Sequence, residues 1–311
     1  MRTTLAGLGR RAASLIAGLA LTAGLLTATA APASAIPPPD PVGTTSVTVT
    51  STLDGMRHSL KAQDGHIYHR EDGPGITWNG RWNALYTATG ATRVDATYDP
   101  NLGLQVVAVI NGFLWHIVRL PNGNWTGWET IYNAPAAQDV SIAVQTNGDA
   151  HIAAVIGGRL YHRVRHWAGD WTPWMSYPNY AGSDVSDVDV AVDGENNLQL
   201  VAVTSGQIRH TARYQSGAWA GFSLIYSGGA ATSVGIAAQA WSPPDGGDSR
   251  VVAAVGGRVF VAYRYSNGAW YGGWNGFDVG WVDTGRAGRV TVDITYLYNF
   301  LNYFDQNDLS V

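Results

Sequence analysis

The sequence predicts an all-β fold, a β-propeller of four-stranded blades with five full repeats and a partial sixth. The first observation is a turn glycine that recurs at Gly65, Gly112, Gly158, Gly206 and Gly257. The intervals between these glycines are 47, 46, 48 and 51 residues, and a fixed period of this length indicates a repeat architecture. The second observation is that every repeat contains four short strand-like segments separated by turn signals. Four strands per repeat favour a propeller, whose blades are four-stranded antiparallel sheets around a channel.

The strands of each repeat follow one order. The first is rich in β-branched residues, as in DVDVAV at 187–192, and the second is apolar, as in LQVVAVI at 104–110. The third follows the turn glycine, as in RLYHRVR at 159–165. A recurring tryptophan is predicted to open the fourth strand, at Trp82, Trp125, Trp171, Trp219 and Trp270.

The end of the chain leaves the number of blades open. A sixth repeat begins with RVTVDITYL at 289–297, and residues 300–305 supply a suitable second strand. Either the five full repeats close a ring against which this tail packs, or the tail starts an incomplete sixth blade. We favour the incomplete blade because both a first and a second strand are present.

The residues before the repeats predict export. Residues 1–35 combine N-terminal arginines, an apolar stretch and the sequence Ala33-Ser34-Ala35, which is typical of a cleaved secretory signal peptide. An uncleaved membrane anchor is the alternative. Residues 36–45 form a proline-rich lead, and the predicted propeller domain occupies residues 46–311. No later stretch is apolar enough to span a membrane, so the mature protein is expected to be secreted and extracellular, without a spanning helix.

Charge and composition disfavour several kinds of partner and chemistry. Loss of three arginines with the signal lowers Lys+Arg from 19 to 16 against 23 Asp+Glu, so the net charge changes from −4 to about −7. An acidic chain argues against a nucleic-acid partner, which needs a basic face. The chain has no cysteine, which excludes thiol catalysis and zinc–thiolate sites. No cofactor is predicted.

A histidine recurs in the third strand, at His69, His116, His162 and His210, and is replaced by Val261 in the last repeat. Four imidazoles suggest a metal site, but they lie one repeat apart and therefore on different blades. Strand alternation places them on the face that also carries the aliphatic residues of this strand. We therefore predict no metal site, and we expect partly buried histidines that bond neighbouring backbone carbonyls.

An arginine follows this histidine by three residues, at Arg119, Arg165, Arg213 and Arg264, with Asp72 in the equivalent place of the first repeat. A guanidinium stacks on aromatic rings and forks onto paired oxygens, which suits the vicinal hydroxyls of a sugar. The alternative is an ion pair between blades or a tie to the backbone.

Tryptophan supplies the second group suited to a sugar, because an indole has a broad apolar face. The first tryptophan of the fourth strand is present in all five repeats, which favours a role in packing. For the second, packing and sugar stacking both stay open, since it varies between repeats: it is Trp128, Trp174 and Trp274, replaced by Leu85 and Phe222. Further aromatic residues outside the repeat either line a ligand surface or cap a blade, namely Trp78, Trp167, Trp241 and Trp281.

Motifs for catalysis are weak. Propeller glycosidases need carboxylates at matched positions, and glutamate is limited to Glu71, Glu129 and Glu195. No Ser-His-Asp order, phosphate-binding loop or HExxH motif occurs. No catalytic residue is predicted, and the alternatives are a glycosidase of the propeller type, including the sialidase kind, and a protein-interaction propeller.

The repeat NGDAHIAAVIGGRLYHRVR…GDWTPW at 147–174 resembles that of the PLL-like bacterial β-propeller lectins. Glycine, aliphatic residues, an aromatic–His pair and Trp-x-x-Trp occur in the order of that family, over about residues 46–277. The resemblance implies glycan binding between adjacent blades, with fucose or methylated sugars as ligands and Trp faces among the contacts. Members of that family usually have seven blades, and this chain has five to six repeats.

These observations predict a secreted, lectin-like propeller with repeated, multivalent glycan sites and no catalysis. The second, third and last full repeats are expected to carry the better sites, and the first repeat the poorest. The oligomeric state is not predicted. The predicted ligand-binding residues are Arg119, Trp125, Trp128, Arg165, Trp171, Trp174, Arg213, Trp219, Arg264, Trp270 and Trp274.

Overall fold

The structure is a computed structural model that describes residues 44–52, 55–73, 80–177, 184–238, 248–265, 267–271, 290–294 and 301–305. All of these belong to Pro37–Val311, one of two units into which the chain divides. The predicted signal peptide, most of the proline-rich lead and the predicted site residue Trp274 lie outside the described residues. The first strand begins at Thr44, two residues before the predicted start of the propeller.

The fold is all-β, without a helix among the described residues, and it is a five-bladed β-propeller in which each blade is a four-stranded antiparallel sheet. Each blade is built from four consecutive strands, as the repeat predicted. The strands of blades 1 and 2 are β1 Thr44–Ser51, β2 Arg57–Gln63, β3 His66–Asp72, β4 Asn83–Tyr86, β5 Ala91–Asp99, β6 Gly103–Ile110, β7 Phe113–Arg119 and β8 Glu129–Tyr132. Those of blades 3 to 5 are β9 Ala137–Val144, β10 Ala150–Ile156, β11 Arg159–Arg165, β12 Met175–Ser176, β13 Val185–Val192, β14 Leu198–Thr204, β15 Gln207–Arg213, β16 Ser223–Tyr226, β17 Ala231–Ala238, β18 Ser249–Val255, β19 Arg258–Arg264 and β20 Trp270–Tyr271.

The core lies between the blades. The first strands β1, β5, β9, β13 and β17 pack side by side and are the innermost strands of the ring. The second strand of a blade is buried along its length, as in Gly103–Ile110, because neighbouring blades cover both faces of its sheet. One cluster joins Leu60 and Ile67 of blade 1 to Val94 and Val106 of blade 2. Burial on both faces explains why these strands read as continuous apolar runs.

The repeated glycine connects each blade to the next. Gly112 and Gly206 have φ angles of +79° and +71°, a region that favours glycine. Their carbonyl oxygens accept hydrogen bonds of 2.9 Å from the N–H groups of Ala137 and Ala231, the first residues of the next inner strands. A Cβ on Gly206 would collide with the carbonyl group of Gly229. The glycine that defines the sequence repeat therefore closes a tight turn and holds the following blade in place.

Carboxylates of the inner strands also tie neighbouring blades together. Each carboxylate accepts a hydrogen bond from a backbone N–H of the next inner strand. This bond satisfies an N–H group that has no sheet partner, because neighbouring inner strands belong to separate sheets. The bonds are 2.7 to 2.9 Å long and join Ile142 to Asp95, Val188 to Asp139, Val234 to Asp187 and Ile236 to Asp189.

The fourth strand starts later than predicted in blades 2 to 4. Trp125, Trp171 and Trp219 form single bridges to the arginines that end the third strands, and the regular ladder resumes only at the residues that follow. In blade 3 Pro173 lacks an N–H for the ladder, and the Thr172 hydroxyl accepts the N–H of Val164 at 2.8 Å. The tryptophan is therefore held at a kink ahead of the strand.

Two further strands, β21 Val290–Ile294 and β22 Leu301–Asp305, pair in antiparallel register as a two-stranded sheet. The backbone of β21 packs against β17 of blade 5 and β1 of blade 1.

Candidate functional site: the clefts between blades

The recurring arginines face the preceding blade. The Nη2 of Arg119, in blade 2, donates to Glu71 Oε2 of blade 1 at 2.8 Å. The positive charge of Arg165, in blade 3, lowers the pKa of His116 in blade 2, and Arg213 and Arg264 act in the same way on His162 and His210. We name the spaces by the blades that form them: cleft 1/2 contains Arg119, cleft 2/3 contains Arg165, cleft 3/4 contains Arg213 and cleft 4/5 contains Arg264.

The recurring histidines are buried and uncharged. Desolvation lowers the pKa of His69, His116 and His210 from 6.5 to about 3, and that of His162 well below its usual range. Their hydrogen-bond partner is a side chain of the second strand and not a backbone carbonyl as predicted, because that side chain points to the same face of the sheet. The pairs are His69–His58, His116–Gln105, His162–His151 and His210–Gln199, at 2.8 to 3.1 Å.

Each of these histidines also meets the first tryptophan of the next blade edge to face. The ring centroids are 5.2 to 5.3 Å apart, an arrangement that aromatic pairs favour. These contacts support the packing interpretation of the first tryptophan. The pairs are His69–Trp125, His116–Trp171, His162–Trp219 and His210–Trp270.

The second tryptophans also lie against the neighbouring blade. Trp128 meets Tyr86 of blade 1 at a centroid distance of 6.1 Å. The Nε1 of Trp174 donates to the Ile131 carbonyl oxygen of blade 2 at 2.9 Å. The guanidinium of Arg163 stacks over the Trp171 and Trp174 rings at 4.5 and 5.3 Å, which covers a face of each indole.

Cleft 1/2 contains an ion pair and a cavity. The Arg119 and Glu71 side chains remain 24% and 37% exposed, so the pair faces a space that solvent reaches. The cavity has a volume of about 380 Å³, and its lining includes both members of the pair with His58 and Tyr98. Here the interpretation of the arginine as an inter-blade ion pair is correct. An arginine–carboxylate pair beside an open cavity can also hold sugar hydroxyls, since it offers donors and acceptors together.

Cleft 2/3 has an arginine without such a partner. The Nε and Nη1 atoms of Arg165 are shielded from water and have no hydrogen-bond partner, while the side chain as a whole is half-buried. Two residues later, Trp167 is 67% exposed, although large apolar side chains are usually covered. The backbone N–H of Trp167 donates to Asp149 Oδ1 at 3.1 Å, which fixes the hairpin that carries both residues.

The remaining clefts have intermediate surroundings. Arg213 has Tyr177 and Asp149 among its neighbours, and burial lowers the pKa of its guanidinium. Arg264 lies beside His210, without an ion-pair partner among the described residues. The residues that follow these arginines are exposed aromatics, Tyr214 at 48% and Tyr265 at 41%.

In blade 1, Asp72 occupies the position of the arginine. Its carboxylate is buried, pairs with the Nε of Arg70 at 2.9 Å and accepts the Gly80 N–H at 2.7 Å. The Asp72 carboxylate therefore bonds only groups of its own repeat. The first repeat has no guanidinium at this position, which is the reason it was predicted to carry the poorest site.

Sequence reasoning did not identify Glu71 or the exposed residues after the arginines. Glu71 is the one acid at a position that varies between the five repeats, and its partner lies 48 residues away in the next blade. For the exposed aromatics a signal was present: Tyr214 and Tyr265 both directly follow the recurring arginine, and Trp167 follows it by two positions. Trp167 was recognised as an aromatic residue outside the repeat, without a position relative to the arginine.

Among the residues that the structure describes, no three histidine, aspartate or glutamate side chains come together as ligands for a metal ion. Within the same part of the chain, no helix is long and apolar enough to cross a membrane.

Comparison with known proteins places the chain by its fold. No family model matches the sequence, and no curated protein does so either. Among solved structures, the SapL1 lectin in complex with alpha methyl fucoside is similar, with a TM-score of 0.61, 14% identity and coverage of 86% of this chain and 90% of that one. A mutant of AofleA from Arthrobotrys oligospora with three arginines changed to alanine has a TM-score of 0.62 and 11% identity, covering 83% of this chain and 78% of that one.

A lyase is also similar. The catalytically inactive virginiamycin B lyase from Staphylococcus aureus with quinupristin has a TM-score of 0.53 and 15% identity, and 86% of each chain is covered. At these identities the likeness shows a common propeller fold.

Proposed function

We propose that this chain is a secreted carbohydrate-binding β-propeller with several glycan sites in the clefts between its blades and no catalytic role. The observation that carries the proposal is the recurrence of an arginine in four successive clefts, of which Arg165, Arg213 and Arg264 form no ion pair among the described residues. An exposed aromatic residue follows each of these three arginines within two positions of the sequence, at Trp167, Tyr214 and Tyr265. A cation with several donors beside an open aromatic face matches the hydroxyls and the CH-rich face of a pyranose.

A lectin of similar fold supports a sugar as ligand. The SapL1 structure is a complex with alpha methyl fucoside, and the AofleA structure is of a mutant in which three arginines are changed to alanine. Fucose or methylated sugars are accordingly the first ligands to test. In this proposal the aromatic contact comes from Trp167, Tyr214 and Tyr265 together with the predicted tryptophans, of which Trp171, Trp219 and Trp270 also pack against histidines.

Several weak sites on one molecule would act together. When a surface displays many copies of a glycan, a second cleft binds at the effective concentration set by the first, which raises the overall affinity. This provides a reason for repeating one site in successive clefts.

We further propose that the two-stranded sheet of β21 and β22 is a partial sixth blade. Its first strand lies against the inner strands of blades 5 and 1, which is the position that a further blade would occupy. Its strand order also follows that of the other blades, with consecutive strands paired.

A glycan array probed with the mature chain tests the proposed function. We expect binding to a restricted set of glycans, inhibition by the free sugar, and reduced binding for Arg165→Ala and Arg213→Ala. Arg258→Ala, which changes an exposed arginine at the start of β19, serves as the control. Absence of binding to every glycan, or binding that survives both cleft substitutions, would contradict the proposal. Export is tested separately by expression of the full chain and N-terminal sequencing of the released protein, which should begin at Ile36.

The second candidate function is an enzyme, because a lyase shares the fold. The recurring histidines are poorly suited to proton transfer near neutral pH, since burial lowers the pKa of each well below 6.5 and each bonds a second-strand side chain. Turnover of chromogenic glycosides or of quinupristin by the purified chain, lost on a single cleft substitution, would favour this candidate.

A further inference from the structure

Clefts 1/2 and 2/3 differ in charge at one position of the repeat. Glu71 of blade 1 and Val118 of blade 2 are equivalent residues of the third strand. Glu71 pairs with His58 of the second strand, and Val118 pairs with Gln105, the residue equivalent to His58. The carboxylate that pairs with Arg119 therefore has an apolar counterpart in cleft 2/3, the cleft of Arg165.

Two acidic groups close to the hairpin that carries Arg165 and Trp167 are already engaged. Asp99 is fully buried, and its carboxylate accepts the Asn101 N–H at 2.8 Å and Gln105 Nε2 at 3.2 Å. Asp149 is occupied within its own blade, where it lies 3.3 Å from His166 Nδ1 and accepts the Trp167 N–H. The guanidinium of Arg165 thus keeps a positive charge that no acid of the described residues pairs with.

That charge is also poorly solvated. Nε and Nη1 of Arg165 have neither an acceptor nor access to water, and a buried polar group without a partner costs free energy. An anionic acceptor recovers more of this cost than a hydroxyl, because its opposite charge adds a Coulomb attraction to the hydrogen bond. The Arg165 side chain is only half-buried, so a small movement of its guanidinium toward the ligand brings Nε and Nη1 within hydrogen-bond distance of the ligand.

The exposed indole of Trp167 indicates what carries the anion. It projects from the same hairpin and offers an apolar face to a sugar ring while Arg165 takes the acidic group. The chain as a whole carries a net charge of −4, so a general attraction for anions does not account for binding here.

We propose, resting on the glycan-binding function above, that cleft 2/3 selects acidic sugars, with Arg165 binding the carboxylate and Trp167 stacking on the ring. Cleft 1/2 binds neutral sugars instead, because Glu71 already neutralises Arg119 and repels a second carboxylate. The chain therefore presents two classes of site on one ring.

The test compares each acidic sugar with its own methyl ester, which differs only in charge at the carboxyl group. Methyl glycosides of glucuronic, galacturonic and N-acetylneuraminic acid are titrated into the mature chain by calorimetry, each beside its ester. We expect at least one acid to bind roughly tenfold more tightly than its ester, and Arg165→Gln to remove this preference. Trp167→Ala should weaken the acid and the ester alike, and Arg119→Gln, the matched change in cleft 1/2, should leave the acid preference intact.

A gain-of-function variant provides a second readout. Glu71→Gln releases Arg119 from its carboxylate and should add a second site with preference for the acid. Circular dichroism and thermal melting verify that each variant is folded, and Arg165→Lys, which keeps the charge, replaces Arg165→Gln if that variant misfolds and should retain a reduced acid preference.

Three results would overturn the inference: equal affinity for acid and ester, an acid preference that survives Arg165→Gln, or displacement of the acid by inorganic sulfate at equal concentration. If neutral sugars bind and depend on Arg119 while acids show no preference, the inference fails and the proposed function stands. If no sugar of either kind binds and the glycan array is blank, the proposed function fails with it.

Discussion

Asp95 and Asp189 are joined through a single hydroxyl in the ring of inner strands. Ser141 Oγ lies 2.7 Å from Asp95 Oδ2 and 2.6 Å from Asp189 Oδ1, and Thr48 donates to the other oxygen of Asp95. A serine hydroxyl has one hydrogen to donate, so it bonds one carboxylate, and the second short contact requires a proton on the other carboxyl group. Burial raises the pKa of both groups, and the charge of Asp95 raises that of Asp189 further. The blades are therefore tied by a carboxyl pair that holds a proton.

We predict that Asp189→Asn stabilises the protein at pH 8. A carboxyl group whose pKa is raised in the folded state contributes stability below its unfolded pKa and loses it as the pH rises through the folded pKa. The asparagine amide can donate to Ser141 Oγ while its oxygen accepts the Ile236 N–H, and the hydroxyl is then free to donate to Asp95. We expect a gain of about 1 kcal/mol in the free energy of unfolding at pH 8 and a smaller one at pH 4, measured by urea denaturation. An equal gain at both pH values would contradict the shared proton.

Ser141→Ala should have the opposite effect. This change removes the hydroxyl between Asp95 and Asp189 and leaves the two carboxyl groups facing each other without a bridge. We expect a loss of about 1 to 3 kcal/mol at pH 8 and a smaller loss at pH 4, where protonation relieves the repulsion. Urea denaturation at both pH values gives the comparison, with Ser216→Ala, a change in an exposed turn, as the control.

The buried histidines predict loss of stability in acid. A group whose pKa falls from 6.5 to about 3 on folding contributes stability above pH 6.5 and loses it as the pH falls toward 3. Each such histidine lowers the free energy of unfolding by up to about 1.4 kcal/mol per pH unit across this window. We expect His210→Gln to reduce the slope of the stability–pH curve in this acid range by about one proton. Identical slopes for His210→Gln and the parent would exclude burial of a neutral imidazole.

How far the sequence predicted this structure depends on the range of each interaction. The repeated glycines, the β-branched runs and the apolar second strands are local features of the sequence. They were sufficient to predict five four-stranded blades and the order of their strands. The start of the fourth strand was misplaced because Trp171 is followed by Thr172 and Pro173, which interrupt the ladder in a way that strand propensity does not register. The histidine partners and the Glu71–Arg119 pair depend on which side chains meet across strands and blades, and a repeat period carries no such information.

Two glycines with the same backbone conformation should respond differently to alanine. Gly206 and Gly229 have φ angles of +71° and +72°, so both substitutions incur the strain of a left-handed residue, about 1 to 2 kcal/mol. The new Cβ at position 206 also collides with the Gly229 carbonyl, whereas the one at position 229 meets nothing within 4 Å. We expect Gly206→Ala to destabilise the protein by at least 1 kcal/mol more than Gly229→Ala in urea denaturation. Equal losses would show that the turn relaxes without disturbing the next blade.

Stability and ligand binding should separate at two tryptophans of blade 3. Trp171 packs against His116 and Arg163, whereas Trp167 is 67% exposed. We expect Trp171→Leu to lower the free energy of unfolding by roughly 2 to 4 kcal/mol. Trp167→Leu should change it by less than about 0.5 kcal/mol and weaken glycan binding several-fold. Thermal melting and calorimetric titration of both variants provide the comparison. A destabilised Trp167→Leu protein would assign this residue to the scaffold.

One position of the third strand differs between blades that keep the same four-stranded architecture. Two residues after the recurring histidine, or after Val261 in the last repeat, the five blades carry Glu71, Val118, Val164, Ala212 and Tyr263. An acid, two aliphatic sizes and a phenol occupy one register without loss of the blade. The specificity of a cleft can thus evolve one repeat at a time. Duplication of the gene segment for one blade, followed by a single substitution, would give neighbouring clefts with different specificities. Such a ring would bind different sugars of the same polymer in neighbouring clefts.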